Sequence, residues 1–163
     1  MPAEAAGFYK QSCIVCLDNQ GHHSRVELEV VYGEQRETVE IRWTGEVTGE
    51  LRKAYGDLVR ATDNGAVALA LLLIREFTEY TTVEQAAIGT TIDYYLSAKP
   101  PNSTLIFNNT ARLEVSGILW ESKTNTVDSR VKSKLERLKA DNGLPTFIVV
   151  VEFSQPWTKM VEA

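Results

Sequence analysis

Gly89-Thr-Thr-Ile-Asp93-Tyr-Tyr-Leu96, followed after a loop by Ala111-Arg-Leu-Glu114-Val-Ser-Gly-Ile118, is the pair of segments from which the rest of the chain is read. Each is a short apolar run of strand composition that carries one carboxylate. An unpaired carboxylate is costly to bury, so strands keep such residues out of a core unless they bind something. Period two puts Thr91, Asp93 and Tyr95 on one face of the first strand, and Arg112, Glu114 and Ser116 on one face of the second. If the strands pair, Asp93 and Glu114 converge. With a backbone carbonyl near Val115 and waters they form the oxygen shell that Mg²⁺ prefers. Such an ion generates hydroxide and stabilises a pentavalent phosphate. The competing expectation is a structural ion pair between Arg112 and either Glu114 or Asp93.

Downstream, Val127, Val131, Leu135 and Leu138 form one apolar stripe, predicting a helix from 127 to 140 with a stop at Asn142-Gly143. Phe147 to Phe153 is a continuous apolar run rich in β-branched residues, as expected of a strand covered on both faces. Upstream, the run Ala66–Ile74 continues through Glu79 as a buried helix after a break at Asp63-Asn-Gly65. Thr82–Ala87 and Thr90–Leu96 read as strands around Gly89, and Lys99–Thr104 reads as a proline-marked loop. From residue 64 the expected order is therefore α-β-β-β-α-β, with a right-handed crossover into the last strand.

The first 45 residues differ in pattern. Arg25–Tyr32 and Glu37–Trp43 alternate polar and apolar residues about a Gly33 turn, predicting a hairpin. Ser12–Leu17 reads as a further strand. Together these give a small antiparallel sheet over residues 8–45, followed by a helix from about Glu50 to Ala61. The expected layout is one domain, 1–163, with an N-terminal β extension at 8–45 and a core at 64–153.

Asp93 and Glu114 in this element order resemble the PD-(D/E)XK nuclease superfamily, whose fold is restriction-endonuclease-like. The resemblance covers residues 64 to about 153. It implies an αβββαβ core with a mixed central sheet, an Asp on the second strand and a Glu-x-Lys on the third. Asp93 and Glu114 would then hold Mg²⁺ or Mn²⁺. An acid on the first helix, Glu76 or Glu79, would assist. Ser116 stands where that superfamily has its lysine, and the resemblance moves that role to Lys134 on the following helix. The implied activity is hydrolysis of DNA or RNA phosphodiesters by a homodimer. The alternative is a non-catalytic scaffold that binds a protein partner.

Bulk properties agree with a globular chain: 163 residues, 44% hydrophobic and 24% charged. A net charge of −5 argues against a general nucleic-acid coat, although a local basic groove remains open to it. Arg130, Lys132, Lys134, Arg137 and Lys139 supply a basic helix, read either as a phosphate contact or as a solvated face. Tyr94, Tyr95, Trp120 and Trp157 could stack bases, or simply pack. Cys13-x-x-Cys16 with His22-His23 offers four zinc ligands, but on a strand the two sulfurs would diverge, so buried structural cysteines are expected. No membrane span is expected, since the longest apolar run has nine residues, far short of the roughly 20 needed. The first seven residues lack a signal-peptide pattern, and the sequons at Asn102 and Asn108 are read as chance, so the expected location is the cytoplasm.

Overall fold

The computed structural model describes residues 1, 3–87, 92–98, 109–138 and 143–163. The Gly89 turn, the Lys99–Thr104 loop, both sequon asparagines, Lys139, Ala140 and Asn142 lie outside them. Among the described residues are four helices and seven strands: α1 (Ala3–Asn19), β1 (Arg25–Tyr32), β2 (Gln35–Arg42), α2 (Gly49–Ala54), α3 (Leu58–Phe77), β3 (Tyr80–Gln85), β4 (Tyr94–Ala98), β5 (Ala111–Ile118), α4 (Val127–Leu138), β6 (Thr146–Glu152) and β7 (Trp157–Glu162). All strands join one mixed, curled sheet in the order β2-β1-β7-β6-β5-β4-β3. From α3 to β6 the element order is the expected α-β-β-β-α-β. β3, β4 and β5 pair antiparallel, and β5 and β6 pair in parallel across the α4 crossover.

The hairpin forms with Arg25 opposite Arg42 and Gly33 at a positive φ of 60°. It is not a separate sheet. β1 also pairs in parallel with β7, a strand the sequence pattern did not announce, and β7 pairs antiparallel with β6.

Two expectations upstream are corrected. Ser12–Leu17 lies within helix α1 rather than on a strand. Its buried residues Cys13, Cys16 and Leu17 fall at i, i+3 and i+4, a helical spacing that a short apolar run disguises. The break at Asp63-Asn-Gly65 is likewise absent, because α3 runs unbroken from Leu58 to Phe77 and the chain breaks instead around Gly56. Asp57 caps α3, its carboxylate accepting from the Arg60 amide at 3.1 Å. Gly65 is in the helix for contact rather than for a turn: a Cβ there would lie 2.9 Å from the Cys13 Cα. The glycine lets α1 lie close against α3.

The two helical layers cover opposite faces of the sheet. On one, α1 and α3 pack over Leu113, Val115, Phe147, Val149 and Val151. On the other, α4 packs Val127, Val131 and Leu138 over Ile118, Ile148 and Val150. Full burial of side chains such as Leu73, Leu113 and Phe153 stabilises the fold by about 2 to 3 kcal/mol each. Among the described residues no helix is long and apolar enough to cross a membrane.

Candidate active site

β5 alternates strictly. Ala111, Leu113 and Val115 join the α1/α3 core, whereas Arg112, Glu114 and Ser116 face α4 and are also buried. Three buried polar side chains on one strand face need partners. Glu114 receives Lys134 Nζ at 2.5 Å, with both side chains about nine-tenths buried. Ser116 Oγ accepts from the Arg130 guanidinium at 2.7 Å. Arg112 donates to Thr146 Oγ1 at 2.9 Å and to the Leu144 carbonyl at 3.0 Å. Arg130 and Lys134 are four residues apart on α4, so one helix face delivers both cations to one strand. Arg130 is itself held by Asn125 Oδ1 at 2.8 Å.

Asp93 lies at a bend just before β4, not within it. Its main chain still pairs: its amide donates to the Leu113 carbonyl at 3.1 Å, and its carbonyl accepts from Ala86 at 2.9 Å. The bend breaks the expected alternation. Ile92 packs with the α4 cluster, whereas Tyr94 and Leu96 pack with α1 and α3. Strand pairing between β4 and β5 stops at Tyr94 opposite Leu113. Beyond that point the Val115 amide is capped by Asp93 Oδ2 at 2.7 Å, and the Gly117 amide approaches Asp63 Oδ1 at 3.4 Å. By the same alternation the Val115 carbonyl points to this edge. The exposed Asp93 carboxylate and the Val115 carbonyl lie at this edge, and the buried Glu114, one residue before Val115, turns toward α4 and Lys134.

Those three oxygens are the hard donors that Mg²⁺ or Mn²⁺ takes. Among the described residues no group of three or more His, Cys, Asp or Glu side chains could hold a metal, so a cation here would rest on two carboxylates, a carbonyl and solvent. Tyr94 is no candidate base, because burial first, and its hydrogen bond to Tyr9 second, push its phenol well above the ordinary range.

The remaining predicted residues are placed as follows. Glu76 is exposed in the last turn of α3, and Glu79 is exposed in the connection from α3 to β3. Tyr80, next to Glu79, pairs with Ala98, so Glu79 sits some five strand residues, about 17 Å, along the sheet from Asp93. The acid of the first helix that does reach β5 is Asp63, which sequence reasoning assigned to a turn. The signal for it was helical spacing running through residues 58–77. Of the basic helix, Lys132 and Arg137 are exposed, while Lys139 lies outside the described residues. Trp120 is exposed, Trp157 and Tyr95 are half-buried, and Tyr94 is buried.

Cys13 and Cys16 share the buried face of α1, and Cys16 contacts Thr62 Oγ1 at 3.8 Å. Burial pushes the Cys16 thiol up to about 11, and raises Cys13 further. His22 Nε2 lies 3.1 Å from the Phe153 carbonyl, and His23 faces Asp18 at 4.0 Å. These contacts belong to packing and loop closure.

No protein-family model, characterised protein or solved structure matches the chain.

Proposed function

We propose that the chain is a Mg²⁺- or Mn²⁺-dependent nuclease with a restriction-endonuclease-like core spanning α3 to β6. The observation that carries this reading is the pair of contacts at the β4–β5 divergence: Asp93 accepts from the Val115 amide at 2.7 Å, and Lys134 Nζ lies 2.5 Å from the neighbouring Glu114. The helix–sheet order, and the placing of α3 and α4 on opposite faces, agree with the PD-(D/E)XK arrangement. Asp93, Glu114 and the Val115 carbonyl would hold the cation. When bound, it would supply a water of lowered pKa and charge compensation at phosphorus. Lys134 would hold the attacking water or a phosphate oxygen, and Arg130 would stand beside it as a second phosphate contact. Lys132 and Arg137 offer the backbone contacts a DNA or RNA strand needs.

The test is cleavage of supercoiled plasmid, single-stranded DNA and RNA in Mn²⁺ and Mg²⁺. Asp93→Asn keeps an oxygen able to accept from the Val115 amide, so it folds, and it should lose at least 100-fold in rate. Absence of cutting in either cation, or an unchanged Asp93→Asn rate, rejects the reading.

One observation favours a second reading, a non-catalytic scaffold that binds a protein partner. Glu114 is already neutralised by Lys134, and Ser116 occupies the superfamily's lysine position with Arg130 tied to it. That scaffold would show no Mn²⁺-dependent thermal shift and would retain partner binding in Asp93→Asn.

A further inference from the structure

On the side of the sheet away from Glu114 and Lys134, α1 and α3 do not fill the space beneath the curled sheet. A cavity of about 400 Å³ remains between the two helices and the sheet's two edge strands, β2 and β3. Ile14, Leu69, Ile41 and Val83 bring one apolar wall from each of the four elements. This size falls in the roughly 300 to 1,000 Å³ range of small-molecule sites. Leu72 lines it yet is 55% exposed, although it sits in the apolar run 66–74 of α3.

The charged residues that line the cavity are of one sign. Lys10, Arg42 and Arg75 line it, and among the described residues no carboxylate does. Arg42 also carries Glu40. A cavity with aliphatic walls and cationic rim residues complements a ligand with an apolar body and an anionic head. Guanidinium groups suit carboxylate and phosphate alike through paired N–H donors.

We propose that this cavity binds an amphiphilic anion, an alkyl chain ending in a carboxylate or phosphate. The alkyl chain lies between α1 and α3, and its head meets the Lys10, Arg42 and Arg75 side chains. The site is separate from the proposed nuclease centre, and its occupancy does not depend on that centre's activity.

The experiment is isothermal titration of the full chain with dodecanoate, dodecyl phosphate and dodecyltrimethylammonium below their micellar concentrations, with thermal shifts in parallel. One or both anions bind one to one and raise the melting temperature, and the preferred head identifies the ligand source. The ammonium compound binds at least tenfold more weakly. Arg75→Glu and Leu72→Glu, both at exposed positions and checked for folding by circular dichroism, each weaken the anion at least tenfold. Equal binding of the cationic amphiphile would show a surface or micelle effect and overturn the proposal. The absence of saturable one-to-one binding, or indifference to both variants, overturns it as well.

Discussion

The two faces of β5 are made from alternate residues of the same eight-residue strand, yet they do different work. Toward α1 and α3 the strand offers Ala111, Leu113 and Val115, and that layer is held by area removed from water. Toward α4 it offers Arg112, Glu114 and Ser116, each buried and each held by directed bonds. Apolar packing is tolerant of small changes and sums over many contacts. The polar face is not tolerant, because removing one partner leaves a charge or hydroxyl without water or bond. A fold needs only the first kind of face to be stable. The second kind is costly, and β5 carries three such residues on one face.

The sharpest way to break the comparison is at Gly117, where the two helical layers meet the strand. An added Cβ would sit 2.3 Å from the Thr62 carbonyl oxygen, which is backbone and cannot swing aside. Gly117→Leu should destabilise by more than about 4 kcal/mol, seen as loss of a cooperative urea transition. Next, Lys134→Met leaves Glu114 buried without its cation, at a cost of about 3 kcal/mol. Adding Glu114→Leu should recover most of that stability while leaving no cutting activity. If the double variant stays as unstable as the single one, the pair is not the unit described. Leu113→Ala, on the other face, should cost a similar ~3 kcal/mol by opening a cavity. Unlike Lys134→Met it should leave the Mn²⁺ thermal shift intact.

A smaller effect separates the apolar layer by pH. The Cys16 thiol rises from an ordinary 9.0 to about 11 in the folded chain, through burial first. Above 9 the unfolded thiol releases its proton while the folded one keeps it. The contribution is therefore complete below that pH and is lost as pH rises through about 11, at up to ~1.4 kcal/mol per unit for each such thiol. Urea midpoints at pH 8 and 10.5 measure it, and Cys16→Ala should flatten the slope. The smallest change is Thr126→Ala. Thr126 Oγ1 accepts from the Ser129 amide at 3.1 Å at the start of α4, and its loss should cost about 1 kcal/mol.

Where one face of an element was apolar, the sequence was legible. The β1–β2 alternation, the β-branched run of β6 and the α4 stripe each carry their period openly, and the order from α3 to β6 followed from them. Lys134 could be placed near β5 because its position on α4 borders the stripe. Three features were hidden. Cys13–Leu17 is too short for period two and period 3.6 to separate. Asp63-Asn-Gly65 has turn composition, yet a helix–helix contact requires the glycine, a fact held by Cys13 some fifty residues away. The joining of hairpin and core depends on β7, whose Trp157-Thr-Lys-Met160 alternates too briefly to declare a strand. Asp63 was missed as a neighbour of β5 for the same reason its helix was divided.

The position of β7 also has a bearing on how the chain is made. Glu29 pairs with Trp157 across more than a hundred residues, and among the described residues β7 alone bridges β1 and β6. During synthesis the hairpin emerges early but has no place in the sheet until residues 157–162 leave the ribosome. Until then the inner edges of β1 and β6 are both open, and strand exchange between nascent chains competes with closure. A chain stalled before Trp157 would be the aggregation-prone species, and one that includes β7 would close the gap between β1 and β6.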